Sequence, residues 1–181
     1  MVVTYSDDGL TATFTGTSGD TLLGGTASLT NSTTNTTATI AIVKGYGRIG
    51  LGAFEYAESL TSITIPASVK SILANAFRIA AKLTTVTFEA GSQLENIGNY
   101  AFQDAESLTS ITIPASVERI LANAFQGATK LKTVYIANNQ LSGISSPATV
   151  NFFGTTVNTI PPPEGEGEGE GEGEGEGEGE G

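Results

Sequence analysis

Apolar positions recur along this chain in a fixed order. Leu60, Ile63, Ile65, Val69 and Ile72 lead to the pair Ala76-Phe77. The order returns at Leu83, Val86, Phe88, Leu94, Ile97 and Ala101-Phe102, and again at Leu108, Ile111, Ile113, Val117, Ile120 and Ala124-Phe125. A further unit opens with Leu131, Val134, Ile136, Leu141 and Ile144. The Ala-Phe pairs, beginning at Ala53-Phe54, are 23, 25 and 23 residues apart. A fixed period of this length is the mark of a stacked repeat protein. The thirteen residues AESLTSITIPASV stand at both Ala57–Val69 and Ala105–Val117, so two unit types alternate. The two extra residues fall before Leu94, where EAGSQ replaces PAS, and the Leu94-Ile97 spacing is kept. An insertion that respects the core pattern belongs to a loop. An earlier unit begun at Thr37 puts Ile40, Ile42, Tyr46 and Ile49 in the core positions.

Within a unit, Ile-x-Ile has period two and β-branched side chains, which predicts a short strand. Pro66 and Pro114 end it, because proline has no N–H for a ladder. The second half, ILANAFRIAAK or IGNYAFQDAES, is alanine-rich and predicts one or two helical turns, too short to be stable alone. One unit cannot bury its own isoleucines. Stacked units bury them together, which predicts an α/β repeat solenoid with a parallel sheet, helical or irregular turns on the convex side, and a column of phenylalanines. Strand alternation then turns Ser62, Thr64, Thr85, Thr87, Ser110, Thr112, Thr133 and Tyr135 to the open face, with Thr39 and Ala41 ahead of them. Such a row is either a solvated face chosen for β-propensity or a ligand-binding surface.

The recurrent form Leu-x-x-Ile-x-Ile-Pro-x-Ser-Val-x-x-Ile-x-x-x-Ala-Phe-x-x-Ala-x-x-Leu resembles the BspA-type leucine-rich repeats of microbial and protist surface proteins. The resemblance covers residues 37–144, with four full units. It implies a leucine-rich-repeat solenoid there. Residues 1–36 are expected to form an N-terminal β cap, in which Ser6-Asp7-Asp8-Gly9 turns between Val2–Tyr5 and Leu10–Phe14. Residues 145–160 are expected to cap the other end with Val150, Phe152, Phe153, Val157 and Ile160. Two departures stand out. The family's glycine is kept at Gly50 and Gly98 but replaced at Leu73 and Leu121, and its cysteine position holds Ala57, Ala80, Ala105 and Ala128. The second points to engineering or to a lineage that avoids free thiols.

Composition narrows the chemistry. The chain has 181 residues, no histidine, no cysteine and a net charge of −11. Nine of its nineteen acids lie in the Glu-Gly tail behind Pro161-Pro162-Pro163, so the acidity belongs to an appendage. Residues 161–181 are expected to be a disordered, hydrated spacer. No basic stripe is present to displace counterions from phosphate, which argues against nucleic acid. No apolar run reaches the ~18 residues of a membrane-spanning helix. MVVTYSDDG lacks the features of a signal peptide, which leaves an intracellular protein or a mature fragment of a surface protein. The fragment is the expectation, with an extracellular or cell-surface location.

Acid–base chemistry has only carboxylates to draw on. Glu55, Glu58, Asp104 and Glu106 fall on convex turns, where no cleft is implied. Asp7-Asp8 and Asp20 lack the spacing of a calcium loop, and GYGRIG belongs to the core pattern rather than to a phosphate loop. No metal or cofactor is expected. Asn31 and Asn35 begin glycosylation sequons in a Thr/Asn-rich stretch whose simpler reading is a surface loop. The expectation is a non-enzymatic adhesion domain that binds a protein or cell-surface ligand. A structural building block of a fibre, layer or engineered scaffold is the alternative. Ice binding by a Thr-x-Thr ladder is a remote third reading.

Overall fold

The structure, a computed structural model, describes residues 2–8, 10–22, 30–31, 36–137 and 156–160. Leu141, Ile144, Asn35, Val150, Phe152, Phe153 and the tail at 161–181 lie outside the described residues, so the expectations placed on them do too.

The chain coils, and like segments of successive coils lie side by side. On one face, β6 (Ser62–Ile65) runs parallel to β8 (Thr85–Phe88), pairing Ser62 with Thr85, Ile63 with Val86, Thr64 with Thr87 and Ile65 with Phe88. Further on, β10 (Ser110–Ile113), β12 (Thr133–Ala137) and β13 (Thr156–Ile160) form a second parallel ladder at the 23-residue spacing. On another face the two-residue strands β7 (Ser71–Ile72), β9 (Asn96–Ile97) and β11 (Arg119–Ile120) pair in the same sense. The long β5 (Ile40–Ile49) feeds both faces, pairing with β6 through its first half and β7 through its second. Before it, β2 (Thr11–Leu22) already lies parallel to β5, while β1 (Val2–Tyr5) is antiparallel to β2. The expected hairpin therefore forms, but its second strand is also the first rung of the parallel array. At its turn the Asp8 carboxylate accepts from the Ser6 hydroxyl at 2.6 Å and the Leu10 amide at 2.9 Å, and both hold its pKa below the usual value. At the other end, β13 belongs to the stretch expected as a cap and adds a rung to the ladder.

The apolar pattern becomes one continuous core. Leu60, Ile63, Ile65, Val69 and Ile72 are buried, as are Leu83, Leu108, Leu131 and the other described counterparts from Leu60 onward, with two exceptions taken up below. Phe54, Phe77, Phe102 and Phe125 stack nearly face to face, with ring centroids 5.3, 5.0 and 5.2 Å apart in succession. Phe14 closes the column edge-on against Phe54 at 5.5 Å. Burying each ring stabilises the fold by about 1.5–3 kcal/mol. Ala80, Ala105 and Ala128 fill buried slots beside the column, and Ala57 is partly buried there.

The convex side corrects the α/β assignment: among the described residues there is no helix, and the solenoid is β throughout. The reason lies in how the convex amides are shared. Ala76, Arg78 and Ala80 donate to carbonyls three residues back, closing successive turns. Between them Asn75, Phe77 and Ile79 donate across to Asn99, Ala101 and Gln103 of the next coil. Gly52, Phe54 and Tyr56 do the same to Ala74, Ala76 and Arg78, as do Tyr100, Phe102 and Asp104 to Ala122, Ala124 and Gln126. A helix would turn every amide inward along its own axis and leave neighbouring coils unbonded. Positive φ makes the alternation possible. It occurs before each Ala-Phe pair, at Gly52, Asn75, Tyr100 and Asn123, and two residues after the phenylalanine, at Tyr56, Ile79, Asp104 and Gly127.

The first unit needs a second correction. Ala41, not Ile40, pairs with Ile63, and Ile42 pairs with Thr64. Ala41 and Val43 are buried, while Ile40 and Ile42 take the outward positions expected of Thr39 and Ala41. Arg48 and Ile49 pair with Ser71 and Ile72, so the link between the two strand segments is one residue shorter here than in the next unit. A one-residue slip exchanges the faces of a strand.

Candidate binding face

The repeat motif fixes the edges of the outward face. In Pro-x-Ser-Val, Ser68 donates its hydroxyl to the Tyr46 carbonyl at 2.9 Å, and Ser116 to the Leu94 carbonyl at 2.8 Å. Each tethers its turn to the preceding coil. At the other end of the strand, the hydroxyls of Thr61 and Thr84 reach back to the carbonyls of Thr39 and Thr61 at 2.9 and 3.0 Å.

The ladder then brings the predicted residues into two columns. Ser62 lies beside Thr85 and Thr64 beside Thr87; Ser110 lies beside Thr133 and Thr112 beside Tyr135. Thr85, Thr87, Ser110, Thr112 and Tyr135 are exposed, and Ser62, Thr64 and Thr133 half-buried. Register extends the columns through Ile40 and Ile42 to Thr11 and Thr13. The N-terminal part of the face is therefore more apolar than the sequence pattern implied.

The columns are not continuous. No ladder joins β8 to β10, and the strands of this face fall into two sheets. Between them opens a cleft of about 600 Å³, with Val86, Phe88 and Pro114 among its apolar lining and Thr87, Glu89, Thr112 and Ser116 among its polar lining. From Leu60 onward, Val86 and Phe88 are the two exceptions to core burial among the described residues, being only partly covered. The sequence feature beside this cleft is the 25-residue unit, read above as a loop insertion that respects the core pattern.

The remaining candidates do not converge. Arg78 on the convex side bonds Glu55 at 2.9 Å, Gln103 at 3.0 Å and the Tyr56 hydroxyl at 3.3 Å, and its guanidinium carbon lies 5.9 Å from the centre of the Tyr56 ring. Glu55 and then Tyr56 raise the Arg78 pKa, so this group is a fixed cation clasping three coils. Glu55 is thereby engaged in a contact between coils. Asp104 lies in a positive-φ turn beside Gly127. Asn31 lies in β3 (Thr30–Asn31), paired antiparallel with β4 (Thr36–Thr37), away from both columns in the sheet order.

Comparison with known proteins accords with this geometry. The BspA type leucine-rich repeat region matches residues 31–164 in six copies. A leucine-rich repeat protein from Bacteroides capillosus is 30% identical over 75% of this chain and 93% of its own, with a TM-score of 0.44. The pneumococcal vaccine antigen PcpA is 19% identical over 77% of this chain and 51% of its own, with a TM-score of 0.50. A leucine-rich cell surface protein from Faecalibacterium prausnitzii is 21% identical over 88% of this chain and 52% of its own, with a TM-score of 0.40. This chain thus spans about half the length of the last two. No curated protein matches it. With the repeat region covering most of the sequence, the chain belongs to the BspA-type leucine-rich repeat family.

Proposed function

We propose that this chain is a non-enzymatic adhesion domain of a surface or secreted protein, and that it holds a protein or cell-surface ligand on its strand face. The observation that carries the reading is the in-register outward rows on two hydrogen-bonded ladders, Ser62 and Thr64 beside Thr85 and Thr87 on one, and Ser110 and Thr112 beside Thr133 and Tyr135 on the other. A preformed face of this kind loses little conformational entropy on binding, so many modest contacts add to a useful affinity. The family, and the description of one similar protein as a cell surface protein, support the location. Residues 161–181 would then act as a hydrated spacer beside the domain.

The test is retention of the purified chain on intact cells and on immobilised extracellular-matrix proteins, compared with a Thr64→Lys/Thr87→Lys/Thr112→Lys variant. The three positions are outward, but lysines paired across the ladder repel, so the urea midpoint of the variant is measured alongside and is expected to fall only slightly. At least a tenfold loss of retention is expected; unchanged retention would move the site to another face. A building block that assembles end to end is the second reading, favoured by β13, which extends the ladder in parallel. Sedimentation across a concentration series separates them, since an adhesin stays monomeric and a building block grows.

A further inference from the structure

The junction between the 25-residue unit and the one after it is bonded along β9–β11, along the convex side and at Ser107, whose amide donates to Ala81, but not between the strands β8 and β10. β9 pairs with β11, the amides of Glu118 and Arg119 donate to Glu95, and Leu121 donates to Ile97. The convex amides of Tyr100, Phe102 and Asp104 cross to the next coil, and Ser116 reaches Leu94. On the strand face the pattern fails. Thr61, Thr84 and Lys132 each donate to the coil before, at Thr39, Thr61 and Thr109. Among the described residues no such bond joins Thr109 to Thr84. Farther along the strand Glu89 donates to Ile65, whereas Pro114 stands in the corresponding place and has no N–H to give Phe88. Pro66 has the same defect, yet β6 still pairs with β5, so proline alone does not part the strands. What sets this junction apart is the enlarged loop. In EAGSQ, Ser92 lies 3.4 Å from the Leu94 amide of its own coil, whereas Ser68 and Ser116 reach the coil before.

We propose that the solenoid hinges here: the coils up to β8 and those from β10 onward are two stiff segments, joined along β9–β11 and the convex side, and the strand face opens and closes between them. The partial exposure of Val86 and Phe88 is the resting opening of that hinge. The inference does not depend on what the face binds, since it concerns the bonding of the chain to itself.

Amide hydrogen exchange of the native chain, resolved residue by residue by NMR, tests it. Thr85 and Glu89 donate to the preceding coil, and in a parallel strand alternate residues bond to opposite neighbours, so the amides of Val86 and Phe88 face the junction. Ser110 and Thr112 face it from the other side. These four amides are expected to exchange at least about thirtyfold faster than those of Thr87 and Ile111, which bond away from the junction. Protection within threefold of those neighbours would overturn the hinge. Deleting Gly91 and Ser92 restores a 23-residue unit and is expected to slow the four amides at least tenfold. Should the deleted chain fold and the four stay fast, the insertion is not what opens the junction.

Discussion

Ile79 adopts a φ of 58° two residues after its phenylalanine, where the other units place Tyr56, Asp104 and Gly127. A β-branched residue in this left-handed region is strained by about 1–2 kcal/mol, and asparagine tolerates it far better. Ile79→Asn is therefore expected to raise the urea midpoint, by about 1 kcal/mol of stability once lost apolar contact is set against relieved strain. An unchanged or lower midpoint would show that the Ile79 side chain contributes more by contact than its backbone costs. Tyr46 makes a different prediction. Its ring lies over Gly16, where a Cβ would overlap it, and its hydroxyl donates to the Thr15 carbonyl at 3.3 Å. Burial first and Asp20 second raise its pKa above the ordinary value near 10. A group whose pKa is raised on folding contributes its full stability below the unfolded value and loses it as pH climbs through the folded one. The urea midpoint should therefore fall above about pH 10, and Tyr46→Phe should make that fall shallower. An identical alkaline fall in the Tyr46→Phe variant would contradict this. Such residues were only half legible beforehand: the core position of Tyr46 follows from the repeat spacing, but nothing in an isoleucine announces a positive φ.

At the scale of the element, the Ile-x-Ile strands were readable, while the two-residue strands β7, β9 and β11 and the convex turns were not. Ile-x-Ile followed by proline marks β6 and β10 because alternation and β-branching act within four residues. The convex segments misled because alanine content speaks for helix, while the deciding factor, amides shared between neighbouring coils, is invisible in one unit. The faces of β5 were lost to a single missing residue between Val43 and Tyr46, which puts Ile40 and Ile42 outside. Close approach of coils gives this scale its prediction. A Cβ on Gly98 would lie 2.7 Å from the backbone of both Leu73 and Ala74. Backbone cannot swing aside as a side chain can, so Gly98→Ala should cost about 1–3 kcal/mol, read as a lower urea midpoint. Leu73 occupies the same place in its own unit, so the alternation of glycine and leucine there follows the alternation of the two unit types. A Gly98→Ala protein as stable as the parent would mean that these coils do not approach so closely.

For the molecule as a whole, the period carried nearly everything: the direction of stacking, the order of coils and the phenylalanine column all follow from intervals of 23 and 25 residues. What the period could not show is that the strand face parts at the one longer interval, because the loop that lengthens and the strands that part are in different places. The candidate face inherits both features, its columns from the period and its cleft from the exception. All of it requires that residues one unit apart be neighbours. Because the chain has no cysteine of its own, engineered pairs report such contacts without background. Paired strands lie about 4.8 Å apart, within reach of a disulfide, whereas strands two coils apart are not. The most direct measurement is therefore oxidation of a Thr64→Cys/Thr87→Cys chain beside a Thr64→Cys/Thr112→Cys chain. Stacking in parallel predicts a fast intramolecular disulfide in the first and none in the second. A folded first variant that stays reduced, or a second that closes as readily, would contradict the arrangement of coils on which the candidate face rests.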